Sequence, residues 1–231
     1  ECKTRSQIYS RKGVPILRGK ARRCASQQGN ALYATLALGI ADERADQLAQ
    51  LLRKWQWPDG GWNCDKNPEA GISSFWESLI PLRALSLYGK MRNNEKSQKS
   101  AEKAASIFLE RKLFKKKSNG KIMNEEFIKL HYPCYWHYDI LFALKVMAEA
   151  GFIRDSRCQE ALDLLEEKQL ADGGWAQEER FYQNGKLGGS GVDLVSWGRV
   201  NKKKMGEWVT ADALAVLKAG ERLKFLDKEV S

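Results

Sequence analysis

Both histidines of this 231-residue chain fall in one short run, His131-Tyr132-Pro133-Cys134-Tyr135-Trp136-His137-Tyr138-Asp139. Imidazole, thiol and carboxylate are the side chains that move protons near neutral pH, attack electrophiles or bind zinc. Pro133 suits the first position of a helix, where its missing N–H costs nothing. A helix starting there puts Cys134 and His137 at i, i+3 on one face, with His131 just before it and Asp139 two residues beyond His137. Three chemistries suit this run. Cys134 and His137 bind zinc together with Cys64; or His131, His137 and Asp139 form a metal-free acid–base site; or Tyr132, Tyr135, Trp136 and Tyr138 form an aromatic wall with the histidines hydrogen-bonded among them. Glu77 follows Trp76 much as Asp139 follows Trp136. A carboxylate among aromatic rings fits a general acid or a group that stabilises a carbocation, and the plainer reading is helix capping or pairing with Arg83 and Lys145. Trp76, Tyr135, Trp136 and Trp208 are the candidate ligand-facing rings.

The elements that must position these residues are legible as a repeat. Asp42–Trp62 (DERADQLAQLLRKWQWPDGGW) aligns without a gap on Asp155–Trp175 (DSRCQEALDLLEEKQLADGGW), with nine of 21 positions identical. Each copy has an Asp cap, apolar residues at helical spacing, and a stop at Asp-Gly-Gly, where glycine supplies the positive φ of a tight turn. The cluster Asp42-Glu43-x-x-Asp46 at the start of the first copy reads as helix capping rather than as a magnesium site. Between the copies lie runs that are apolar nearly all round, Leu32–Gly39, Phe75–Gly89, Tyr135–Gly151 and Trp208–Gly220, each closing on a glycine. The spacing predicts buried helices near 31–39, 74–88, 134–150 and 208–222, and amphipathic outer helices near 43–57, 97–113 and 156–170. That alternation is an all-α arrangement of about four helical hairpins with inner and outer layers.

The motif Gln-x-x-Asp-Gly-Gly-Trp, at Gln56–Trp62 and Gln169–Trp175, is similar to the QW repeat of the squalene–hopene cyclase and protein prenyltransferase β-subunit superfamily. The resemblance implies an α/α toroid in which Gln and Trp clamp each outer helix and the inner helices line a central cavity. It implies an isoprenoid or other lipid-like ligand, small and apolar or diphosphate-bearing. In prenyltransferase β-subunits zinc is held by Asp, Cys and His in this general place; here the Asp-x-Cys loop is absent and Cys64-Asp65 stands in reversed order. The Asp-x-Asp-Asp acid of triterpene cyclases is also absent, which argues against that cyclisation. About four hairpins fall short of a family toroid, so either the ring is open, a partial toroid, or a second copy of the chain or a further segment completes it. The other readings are a non-catalytic lipid- or peptide-binding repeat module and a basic α-solenoid that binds nucleic acid.

Net charge is +10, concentrated in Arg11–Arg23, Lys112–Lys121 and Lys202–Lys204, and such runs read first as solvated loops. A diphosphate or an anionic lipid would suit them. A nucleic-acid partner is disfavoured, because no binding motif, interleaved aromatic residue or glycine-rich phosphate loop accompanies the lysines. The longest apolar runs are too short for a membrane span. Five cysteines, an odd number, suggest reduced thiols in a cytoplasmic protein, and the start at Glu1-Cys2-Lys3-Thr4 reads as a trimmed chain. The organisation expected is a basic segment over 1–23 and a repeat domain over 24–231, with a glycine-rich loop at 181–200 as a flap over the cavity mouth.

Overall fold

A computed structural model describes residues 14–185 and 191–223. The chain divides into two compact units at Glu110/Arg111, and each is mainly helical.

The first unit opens with an antiparallel pair of two-residue strands, β1 (Ile16–Leu17) and β2 (Lys20–Ala21), followed by α1 (Ala25–Ala37), α2 (Glu43–Trp55), α3 (Phe75–Met91) and α4 (Glu95–Leu109). Side-chain caps start three of these helices: Asp42 accepts from the Arg44 N–H, Ser74 from Glu77, and Asn94 from Ser97. The core runs along α3, whose Leu79, Ile80, Leu82, Ala84 and Leu85 are all buried. α1 packs on α3 so closely that a Cβ on Gly29 would stand 2.9 Å from the Pro81 nitrogen. Gly89, expected to end its helix, lies inside α3. Its bare face admits α4, for a Cβ there would lie 2.7 Å from Gln98 Cγ.

The second unit contains a 3-10 turn (Glu125–Ile128), α5 (Ile140–Ala150), a second 3-10 turn (Ser156–Cys158) leading into α6 (Gln159–Glu167), a parallel pair of short strands β3 (Gln183–Asn184) and β4 (Val192–Asp193), and α7 (Glu207–Ala219). α5 packs on both α6 and α7. The expected helix over 134–150 begins only at Ile140. Asp139 is its N-cap, in extended backbone (φ −138°, ψ 167°), and Oδ1 accepts from the Phe142 N–H at 2.8 Å. A capping carboxylate at the head of the apolar run fixes the start there. Pro133 therefore does not open the helix; its peptide with Tyr132 is cis, and residues 134–137 form a tight turn in which the His137 N–H donates to the Cys134 carbonyl at 2.8 Å.

Burial nearly all round, expected of the inner helices, holds for α3 as far as Gly89 and for α5 apart from Glu149. α1 leaves Gln27, Asn30, Ala31 and Ala34 exposed, and α7 leaves Trp208, Ala211, Leu214 and Ala215 exposed. No helix among the described residues is long and apolar enough to cross a membrane.

Candidate functional site

The two repeat copies fold alike. Trp62 and Trp175 are both 1% exposed; their indole N–H groups donate to the Leu52 carbonyl at 2.9 Å and the Leu165 carbonyl at 2.6 Å, each ten residues back on the same copy's helix. Gln56 Nε2 donates to the Gly60 carbonyl at 2.7 Å, and Gln169 Nε2 to the Gly173 carbonyl at 2.8 Å. A hydroxyl on the following helix completes each clamp: the Trp62 N–H donates to Ser78 Oγ and the Trp175 N–H to Thr210 Oγ1. These two indoles are thus structural. In the first unit Gln56 also joins α2 to α4 through the Ser100 carbonyl and hydroxyl.

After each clamp the chain pairs in parallel with the segment that leads to α1 or to α5. In the second unit the Glu178 N–H donates to the Leu130 carbonyl, Leu130 N–H to the Glu178 carboxylate, and His131 pairs with Glu179 in a parallel bridge. Gln177, 2% exposed, donates to the Tyr132 carbonyl at 3.1 Å. This lattice holds His131 at 2% exposure beside Asp139 at 0%. His131 Nδ1 stands 3.0 Å from Asp139 Oδ2 and 3.2 Å from the Lys129 carbonyl. Two acceptors at one nitrogen require that Nδ1 carry the proton. Nε2 is buried and makes no hydrogen bond of ordinary length. Burial opposes charging of this ring, but the Asp139 charge and hydrogen bond, helped by the Lys129 and His137 carbonyls, raise its pKa above the ordinary value.

His137 is a close neighbour of different character. Its ring stacks on Phe181 (centroids 3.6 Å apart, 10° between planes) and lies 6.3 Å from the His131 ring. Burial, then the His131 charge, push its pKa down. Cys134, half-buried, places its sulfur within 4.8 Å of donor atoms of His131 and Asp139. That trio could ligate a metal by proximity. Asp139, however, already accepts from Phe142 N through Oδ1 and from the His131 N–H and Nδ1 through Oδ2. It fits better as the group that orients His131 than as a ligand, and a proton-holding pair describes the site better than zinc.

The outer side of this loop is aromatic. Tyr132 stacks on Trp208 (5.3 Å, 9°), and Trp197 stands edge-on to both at 5.6 and 5.5 Å. The Trp197 indole donates to Asp193, as does the Tyr135 hydroxyl, and Tyr135 meets the edge of Tyr182. Trp136 and Trp208 are 52% and 46% exposed. Phe181, Tyr182, Asp193 and Trp197 escape the sequence reading, which weighs 181–200 by its glycines; Gly188 and Gly189 lie outside the described residues. The density of aromatic residues in that stretch was the available signal.

In the first unit, Glu77 lies in the first turn of α3, half-buried like Trp76. Its Oε2 accepts from the Ser26 N–H at 2.9 Å, so it caps α1, and Oε1 accepts from Cys64 Sγ at 3.7 Å. Asp65 is exposed. Arg83 lies 3.7 Å over the Tyr33 ring, and Lys145 of the second unit pairs with Asp212 at 2.6 Å. Cys24 is buried and disulfide-bonded, which corrects the expectation that the thiols are all reduced. The solvated basic segment also needs correction: Arg22 and Arg23 are 1% and 8% exposed, over the rings of Trp57 and Trp55 at 4.6 and 5.4 Å. Ring faces replace part of the water that a guanidinium gives up. Lys112 and Lys115 both pair with Glu160, beside an open groove of about 680 Å³ lined by Phe114, Ile122, Ile128 and Leu164 among charged residues.

No protein-family model, curated protein or solved structure matches this chain.

Proposed function

We propose that the chain is a terpene cyclase- and prenyltransferase-like repeat protein of the α/α-toroid kind, which takes an isoprenoid or similarly apolar chain against the aromatic face of its second unit. The observation that carries this reading is the ring cluster Tyr132, Trp197 and Trp208, with Trp208 and nearby Trp136 about half exposed. Covering roughly 200 Å² of such surface contributes about 5 kcal/mol before the cost of association. Arg199 and Lys202–Lys204, exposed on the segment between Trp197 and Trp208, suit a diphosphate head group. His131, next in sequence to Tyr132, is buried and held by Asp139, which fixes the start of the loop that carries that ring. Alkene protonation by an Asp-x-Asp-Asp acid is no part of this reading. The doubled Gln–Trp clamp supports the toroid likeness.

Tryptophan fluorescence titrated with geranylgeranyl diphosphate, and separately with the parent alcohol, tests the proposal. The expected result is a saturable change with both, tighter for the diphosphate, and affinity at least about tenfold weaker in Trp208→Ala, as for a truncated aromatic anchor. No saturable change with either compound, or affinity in Trp208→Ala and Tyr132→Ala equal to that of the unaltered chain, overturns it.

A further inference from the structure

Three donors of a different kind meet in the first unit. The Arg23 N–H donates to the Asn63 carbonyl at 3.3 Å, and Arg22 pairs with Asn63 in a parallel bridge. That pairing sets Cys24, the N-cap of α1, beside Cys64. The Ser74 N–H donates to the Trp62 carbonyl at 2.9 Å and Ser78 Oγ accepts from the Trp62 N–H at 3.0 Å, which sets the first turn of α3, with Glu77, against the same turn. The sulfurs of Cys24 and Cys64 and a carboxylate oxygen of Glu77 lie within 4.8 Å of one another. Glu77 uses Oε2 to hold the Ser26 N–H and turns Oε1 toward Cys64.

We infer that Cys24, Cys64 and Glu77 form a redox-gated zinc site, which binds the ion when the Cys24 disulfide is reduced and loses it when that bond forms. Two thiolates and one carboxylate are donors that zinc accepts at about 2.3 and 2.0–2.2 Å, so the three groups need only draw together slightly. Three protein ligands leave the fourth corner of the tetrahedron to water or a further ligand. The gate balances as follows: a dithiol delivers two electrons to the Cys24 disulfide and becomes a disulfide itself, two protons are taken up, and two thiols result; zinc then displaces the protons of Cys24 and Cys64. In the reverse direction a small-molecule disulfide accepts the two electrons and becomes two thiols as the Cys24 disulfide re-forms and zinc leaves.

The test is zinc titration of the full chain, reduced by a phosphine and then freed of reductant, against the oxidised chain, with cobalt as a spectroscopic substitute. One zinc per chain is expected in the reduced form, with thiolate-to-cobalt charge-transfer absorption, and none at Cys24 in the oxidised form. Cys64→Ser and Glu77→Gln should each weaken binding, Cys64→Ser by more than the ten- to hundredfold typical of residues that only support ligands. Far-ultraviolet circular dichroism confirms that each variant keeps its helices, and the Cys134→Ser variant, altered in the other unit, should bind as the unaltered chain does. Absence of zinc from the reduced, helical chain overturns the inference. So does zinc bound equally well in Cys64→Ser, in Glu77→Gln and in the oxidised form, or zinc lost in Cys134→Ser instead.

Discussion

Asp139 carries two duties at once: it caps α5 through Oδ1 and holds His131 through Oδ2. Those hydrogen bonds offset part of the cost of burying a carboxylate, and protonation of the ring it faces offsets more. A pH signature follows. The folded-state pKa of His131 is raised above its unfolded value, so its ionised form stabilises the protein fully below about pH 6.5, and that stabilisation disappears as pH rises through the folded-state value. His131→Gln should therefore lower the unfolding midpoint most in acid, and the gap from the unaltered chain should narrow toward alkaline pH. Thermal unfolding followed by circular dichroism across that range checks this; a gap constant with pH means that the ring is neutral throughout. The same comparison made in a His137→Gln background removes the titration of His137, which the His131 charge otherwise shifts.

At the scale of elements, the repeated turn offers an internal control. Gly60 and Gly173 occupy the same repeat position with φ of 99° and 84°, yet a Cβ on Gly60 would stand 2.6 Å from the Lys103 carbonyl oxygen, whereas one on Gly173 meets nothing within 4 Å. Gly173→Ala should cost about 1 kcal/mol, for the left-handed backbone alone. Gly60→Ala should cost roughly 1–3 kcal/mol more, because α4 backbone must move. Urea unfolding of the two variants separates the contributions, and equal losses would remove the close contact between the turn and α4. The helices α2 and α6 and their Trp clamps were legible in the sequence because a 113-residue offset preserves caps, apolar spacing and the turn together. The entrance to α5 was not. Pro133 advertises a helix start, but the Asp139 cap sits six residues later, and a local pattern does not say which signal prevails. Nor could the burial of Arg22 and Arg23 be read from charge; it depends on Trp55 and Trp57 lying across the chain from them. Of the candidate site, His131, Cys134 and Asp139 were found as neighbours, while Gln177, Phe181 and Trp197 come from far along the sequence and reach the loop only through the strand-like pairing after Trp175.

At the scale of the whole molecule, the same scaffold is used twice with different chemistry. Cys64 and Gln177 stand at one repeat position, two residues beyond the clamp Trp, and each meets the segment before a helix of its own unit: Cys64 beside Cys24 ahead of α1, and Gln177 on the Tyr132 carbonyl ahead of α5. One unit thereby gains a sulfur cluster and the other a buried polar hinge under an aromatic face. The net charge of +10 gives the whole chain an attraction for anions that salt screens, so affinity for a prenyl diphosphate should fall with ionic strength more steeply than affinity for the alcohol. The most direct test of the ligand assignment is location. A photoreactive prenyl diphosphate, irradiated with the protein and mapped by peptide mass spectrometry, should label the segments 132–136 and 194–208, and excess geranylgeranyl diphosphate should suppress that label. Labelling confined to the outer helices α2, α4 and α6, or labelling that no competitor reduces, would contradict an isoprenoid site on the aromatic face.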